Sequence, residues 1–364
     1  MKTRIHNFSA GPGVLPEPVL EQACQDLWSH GDHGIGIAEC SHRGKQFDEV
    51  IAAAKERIAR LLTLDDDQAV LFLHGGARTQ FYQLPMNFLR GGRRATYLDT
   101  GAWSAYAIAD AKIYGTVDVP FSSKANRYDR VPEPGEWGEL PEGTTYLHYT
   151  ANNTIAGTEF HYVPEVPDGV WLASDMSSNF LSRPLDGSRF GFIYAGAQKN
   201  IGPAGTTVVI VRKSLLPRAN VDGLPKMLQY AVQVEKDSML NTPTTFSIYM
   251  IERVTAWLEE NGGLEAIERR NVAQADRLYG IIDASDFWKG MSKPGSRSRM
   301  NVTFTTGDAD LDATFVKQAS AAGLSGLKGH RSVGGLRASI YNAQTDAAVD
   351  ALCDFMREFE RTHG

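Results

Sequence analysis

Apolar residues at Phe47, Val50, Ile51, Ala54, Ile58, Leu61 and Leu62 recur at i, i+3 and i+4, which predicts an amphipathic helix over 47–62 with one buried face. The acidic run Asp65-Asp66-Asp67 turns the chain, and Ala69–Leu73 is an apolar run too short for a helix, so it predicts a strand. His74-Gly75-Gly76-Ala77-Arg78-Thr79 then makes a glycine-rich turn before a second helix starting near Gln80. The same order returns as a strand over 95–98, a turn at Gly101-Ala102-Trp103 and a helix over 104–114. Further strands are expected at 145–149, 170–174, 191–195 and 206–211. These runs are apolar without clean alternation, so they predict a mostly parallel sheet covered on both faces. Ligands of such sheets sit at the carboxyl ends of the strands.

Near Asn261-Gly262-Gly263 the pattern changes to one long helix, with Leu264, Ile267, Ala275, Leu278 and Ile282 near one face. Beyond it, strands over 300–304 and 336–341 and helices over 311–322 and 345–361 suit a smaller α/β unit. The expected division is a large domain over 15–262 and a small C-terminal domain over 263–364, with the segment 1–14 packing near the latter. No internal repeat, low-complexity tract or flexible linker separates them, so rigid packing is expected.

Composition narrows the function. The chain has 364 residues, 42% of them hydrophobic, and a formal net charge of −6. That balance excludes bulk attraction to nucleic acid or anionic lipid, and any anionic substrate must meet a local cluster of cations. Cys24, Cys40 and Cys353 have neither zinc-site nor redox-pair spacing, which reads as a reduced, cytoplasmic chain. Met1–Phe8 carries charges with no apolar run behind it, and no stretch approaches the ~18 apolar residues of a membrane helix.

The segment Ile193-Tyr-Ala-Gly-Ala-Gln-Lys199-Asn-Ile-Gly-Pro-Ala-Gly205 carries the most chemistry. A lysine just after an apolar strand, in a turn of small residues, is accessible yet partly desolvated, and desolvation disfavours its charged form. A neutral amine can form a Schiff base. Asp175, at the end of the preceding strand in Trp171-Leu-Ala-Ser-Asp-Met-Ser-Ser178, can enter the same crevice and keep a pyridine nitrogen protonated, as pyridoxal 5′-phosphate requires. A surface loop lysine and a helix- or turn-capping aspartate are the plainer alternatives.

Several segments together resemble the phosphoserine aminotransferases almost end to end. They are Asn7-Phe-Ser9 with Gly11-Pro12, Ser41-His-Arg-Gly-Lys45, His74-Gly-Gly76, Ala195–Gly205, Ser298-Arg-Met-Asn301, Lys328-Gly-His-Arg331 and Gly334-Gly-Leu-Arg-Ala-Ser-Ile-Tyr-Asn342. The resemblance implies an α/β fold of fold type I, aspartate aminotransferase-like, in class V, with pyridoxal 5′-phosphate as cofactor. It implies a homodimer with active sites shared between subunits, and a ping-pong exchange of glutamate and 3-phosphohydroxypyruvate for 2-oxoglutarate and O-phosphoserine in serine biosynthesis. It also implies amination of a related phosphorylated acid on the route to pyridoxine.

By the same resemblance Lys199 matches the Schiff-base lysine and Asp175 the pyridinium partner. Ala77 and Arg78 match the pair that contacts the cofactor phosphate, helped by Gln198 and by Asn241 and Thr242 of the neighbouring subunit. The start of a helix there offers free N–H groups and a positive dipole end. Trp103 matches the aromatic stacked on the ring, and Thr154 the hydroxyl that bonds its phenolic oxygen. Arg337 matches the carboxylate-binding arginine; His42, Arg43, His330 and Arg331 match the groups around the substrate phosphate, part of them from the second subunit. The resemblance also implies Ser9 as a substrate contact, supplying what Ala10 lacks.

Two departures stand out: Ala10 replaces a second small hydroxyl residue, and Thr150-Ala-Asn-Asn-Thr154 replaces the commoner Cys-Pro-Asn-Glu-Thr. Competing readings are an alanine-glyoxylate or serine-pyruvate type aminotransferase, a cysteine desulfurase, or a silent α/β binding scaffold or nucleotide-binding module. No cysteine sits in an obvious catalytic loop, no P-loop or Gly-x-Gly-x-x-Gly follows an early strand, and a silent scaffold has no reason to carry Lys199 with Asp175.

Overall fold

The computed structural model describes residues 4–364. In chain order, β1 (His6–Asn7), α1 (Glu17–Asp26) and α2 (Lys45–Leu61) lead into β2 (Gln68–His74), α3 (Thr79–Phe88), β3 (Arg94–Asp99), α4 (Ala102–Ala111) and β4 (Thr116–Ser122). Next come β5 (Thr144–Thr150), a short hairpin of β6 (Asn152–Asn153) and β7 (Thr158–Glu159), then β8 (Trp171–Asp175), β9 (Phe190–Gly196) and β10 (Thr206–Arg212). Helices α5 (Tyr230–Glu235), α6 (Thr245–Glu260) and α7 (Gly263–Asp283) follow. The chain closes with β11 (Lys289–Gly290), β12 (Asn301–Thr305), α8 (Ala309–Ala321), β13 (Leu324–Ser325), β14 (Leu336–Ser339) and α9 (Asp346–His363).

One seven-stranded sheet runs β2-β10-β9-β8-β5-β3-β4, with only β10 antiparallel to its neighbours, so the mostly parallel sheet is present. Each central strand sends alternate residues to two different cores. Val70, Phe72, Leu147, Leu172, Ile193, Val208 and Ile210 join the α2 and α6 layer, while Leu71, Leu73, Tyr146, Ala173, Tyr194, Val209 and Val211 join the α3 and α4 layer. This is why these strands read as continuous apolar runs. Helix α2 buries Phe47, Val50, Ile51, Ala54 and Ile58, and each larger side chain among them contributes roughly 1.5–3 kcal/mol by leaving water.

A third core gathers α7, α8, α9 and the antiparallel sheet β11-β12-β14. Helix α7 spans two cores, with Leu264 and Ile267 in the α2 and α6 layer and Leu278 and Ile282 in the third core. Strand β1 pairs in parallel with β13, and Phe8 is buried in the third core.

Several sequence expectations are corrected. Trp103 lies inside the first turn of α4 rather than in the preceding turn, because Ser104 Oγ accepts from the Thr100 and Gly101 N–H groups at 2.9 Å each and starts the helix early. The last strand ends at Ser339 rather than at 341. Among the elements not expected are α6, β4 and α1. Helix α6 buries Ile248, Tyr249, Met250, Ile251, Val254 and Leu258 on several faces, so it shows no single apolar stripe. Strand β4 is a half-exposed edge carrying Pro120, and α1 opens with Pro18 beside its N-terminus. Among the described residues no helix is long and apolar enough to cross a membrane.

Candidate active site

Lys199 and Asp175 come to one cavity of about 190 Å³ at the carboxyl ends of the parallel strands, lined also by Gly76, Ala77, Arg78, Phe81, Trp103, Ser177 and Gln198. The sheet's period of two explains the convergence. Trp171, Ala173 and Asp175 alternate away from Leu172, so the Asp175 carboxylate emerges on the face covered by α3 and α4, whose N-terminal ends supply Arg78 and Trp103.

Asp175 is buried, and burial pushes its carboxyl above the ordinary value while Lys199 and Ser177 pull it back. One oxygen, Oδ1, accepts from the Ser177 N–H at 2.9 Å and from Ser177 Oγ at 2.6 Å. The other oxygen is left for the cavity. Ser177 Oγ also accepts from the Gly196 N–H at 3.1 Å, which ties Asp175 to the strand that carries the lysine. Ser177 was not singled out from the sequence, although Asp-x-Ser at a strand end is the spacing of a local side-chain turn.

Burial lowers the Lys199 ammonium to about 8; Asp175 opposes this and Arg337 assists it. Its Nζ donates to Thr154 Oγ1 at 2.6 Å and lies 5.6 Å from the centre of the Trp103 ring. Close packing fixes the turn: the Gly13 N–H donates to the Gln198 carbonyl at 2.8 Å, and a Cβ on Gly13 would stand 2.6 Å from the Lys199 carbonyl oxygen. Only glycine fits there.

The unusual loop before Thr154 is tightly held. Asn152 Nδ2 donates to Ser178 Oγ at 2.7 Å and to Asn301 Oδ1 at 2.8 Å, and Asn153 Nδ2 donates to Thr100 Oγ1 at 3.1 Å. A Cβ on Gly101 would lie 2.2 Å from Asn153 Oδ1, so the departure from the commoner pattern is matched by a glycine that admits the asparagine. At the other departure, Ala10 contributes its carbonyl, which accepts from the Tyr341 hydroxyl at 2.6 Å.

Three observations show an acceptor of anions. The N–H groups of Gly76, Ala77 and Arg78 donate to nothing among the described residues and precede α3. The Trp103 Nε1–H donor is buried without a partner. Arg337 donates through Nη1 to the Thr154 carbonyl at 3.0 Å, yet its Nε is buried and unpartnered and it enters no ion pair among the described residues. A buried cation without a counter-charge is costly unless a ligand completes it.

Thr154, which accepts the Lys199 hydrogen bond, and Arg337, which reaches Thr154, adjoin this cavity without lining it, and the remaining sequence candidates also stand outside it. His330 and Arg331 occupy a turn in which the His330 ring meets Ser332 Oγ at 2.7 Å, and burial together with Arg337 and Arg331 lowers the imidazole. Ser9 packs against Gly326, where a Cβ would stand 2.6 Å from its Oγ. His42 and Arg43 lie in the turn before α2, and exposed Asn241 and Thr242 precede α6. None of these six side chains, His42, Arg43, His330, Arg331, Asn241 and Thr242, lines the Lys199 cavity.

Residues 5–352 match the model of the family described as aminotransferase class-V. A protein of Desulfatibacillum aliphaticivorans called phosphoserine aminotransferase is 50% identical over 366 residues, covering 100% of both chains. The solved phosphoserine aminotransferase of Bacillus circulans subsp. alkalophilus superposes with a TM-score of 0.96 at 45% identity, covering 99% of each chain. The phosphoserine aminotransferase of Trichomonas vaginalis, solved with bound PLP, gives 0.92 at 40% identity over 97% of this chain and 100% of that one.

Proposed function

The chain belongs to the class-V aminotransferase family, and on that premise we propose that it transfers the amino group of glutamate to 3-phosphohydroxypyruvate, giving 2-oxoglutarate and O-phosphoserine. It is a pyridoxal 5′-phosphate-dependent transaminase of fold type I. The observation that carries the reading is the convergence of Lys199 and Asp175 on one cavity beside free N–H groups.

The bound cofactor supplies an electron sink for the charge that develops at the substrate Cα. Lys199 would hold its aldehyde and would move a proton at the substrate Cα; an ammonium held near 8 releases its proton readily at neutral to mildly basic pH. Asp175 keeps the ring nitrogen protonated through the oxygen that Ser177 leaves free. Trp103 is the flat wall, and Thr154 is the hydroxyl for the phenolic oxygen. The N–H groups of Ala77 and Arg78, with Gln198, receive the phosphate.

Arg337 pairs with the substrate carboxylate, supported by its unpartnered Nε. His330, Arg331 and Ser9 form the outer contacts to the substrate. His42, Arg43, Asn241 and Thr242 are proposed to act from the second subunit of a homodimer. Residues 15–262 and 263–364 are proposed as the two domains, in a cytoplasmic enzyme.

A coupled assay of glutamate with 3-phosphohydroxypyruvate tests the reading, with the phosphorylated acceptor of the pyridoxine route and glyoxylate as competitors. Turnover with 3-phosphohydroxypyruvate exceeding that with glyoxylate by at least tenfold is expected. A preference for glyoxylate or pyruvate would place the chain with another branch of the fold.

A further inference from the structure

A second and larger cavity, of about 590 Å³, is lined by Ala102, Tyr106, Lys124, Arg127, Ile155 and Ser332 among others. It lies beside the Lys199 cavity, the two having neighbouring but not common lining residues. Ala102 precedes Trp103 of the Lys199 cavity, and Ile155 follows Thr154, which accepts the Lys199 hydrogen bond. Tyr106 lines the second space and meets two residues that line the first: its ring lies 5.9 Å from that of Trp103, and the Arg78 guanidinium stands 4.8 Å from its centre.

Two cations line this second space. Lys124 and Arg127 are exposed and enter no ion pair among the described residues. Of the neighbouring acids, Asp129 pairs with Lys293 at 3.5 Å and Asp99 accepts from Ser104, Ser122 and Tyr128, so neither is paired with Lys124 or Arg127. Arg127 and Tyr128 both adopt left-handed backbone, with φ of 57° and 62°, an uncommon pair of conformations outside glycine. In a chain of net charge −6, two unpaired cations lining a concave space offer an anion a local attraction that the whole chain does not.

We propose that this cavity is a vestibule through which the phosphorylated acceptor reaches the Lys199 pocket, with Lys124 and Arg127 as its steering charges. The inference rests on the proposed function and adds the route and the selectivity. An acceptor with one carboxylate and one phosphate carries about three negative charges, whereas glutamate carries a net single one, so the vestibule favours the former.

The test is steady-state kinetics of the holoenzyme at low and high ionic strength, comparing wild type with the Lys124→Gln/Arg127→Gln double variant and with Lys124→Glu/Arg127→Glu. The neutral pair is expected to lower kcat/KM for 3-phosphohydroxypyruvate about three- to tenfold at low salt and to flatten its salt dependence. The acidic pair lowers it further, while kcat/KM for glutamate falls less and the melting temperature is unchanged. The inference is overturned if both variants keep the wild-type kcat/KM and salt slope, or if both substrates lose equally. A wild-type holoenzyme that is inactive with the phosphorylated acceptor would instead overturn the functional reading, and this inference with it.

Discussion

The inner pocket and its outer rim are built on different principles. Inside, Lys199, Asp175, Thr154, Ser177 and Arg337 are held by hydrogen bonds within one chain, at strand ends and in tight turns. Outside, Arg43, Arg331, Asn241 and Thr242 sit exposed on turns, and Lys124 and Arg127 line the approach without partners. Burial tunes the inner groups, shifting Asp175 up and Lys199 down, while the rim keeps its charge in water. Chemistry is thus placed where position is fixed, and recognition of charge where ligands arrive.

Substitutions sharpen that contrast. Lys199→Ala should lower turnover by at least roughly 10³-fold for both substrates, measured by the coupled assay, because the inner pocket loses its nucleophile and its base together. Asp175→Asn should cost roughly 10²-fold in kcat with little change in KM. Arg331→Ala belongs to the rim, so it should lower kcat/KM for 3-phosphohydroxypyruvate about 10- to 100-fold and leave the glutamate half-reaction within about threefold. Equal losses on both substrates would erase the distinction between the regions.

A smaller effect tests the tuning itself. Reaction of apoenzyme Lys199 with an added aldehyde should accelerate as pH rises through about 8, since the neutral amine attacks. Arg337 lowers the ammonium, so Arg337→Ala should move that midpoint up; Asp175 raises it, so Asp175→Asn should move it down. The smallest change is expected from Ser177→Ala, about fivefold in kcat, because Asp175 retains the backbone N–H.

The same contrast governs what could be read before the structure. The amphipathic helix over 47–62 and the apolar strands were legible because their periodicities reflect one- and two-sided burial. Helix α6 was not, being buried on several faces, nor was β4, an edge with a proline. Lys199 and Asp175 were visible as strand-end residues, but their meeting depends on the register of β8 against β9, which places Asp175 opposite Tyr194. Ser177 and the Asn152 and Asn153 network act through distant partners, and the vestibule joins segments near 105, 127, 155 and 332 that no local pattern connects.

The most direct measurement is borohydride reduction of the holoenzyme followed by peptide mapping by mass spectrometry. The account predicts one pyridoxyl group per chain, on the peptide containing Lys199, and its loss in Lys199→Ala. A colourless protein that takes up no cofactor, or a label on another lysine, would contradict it.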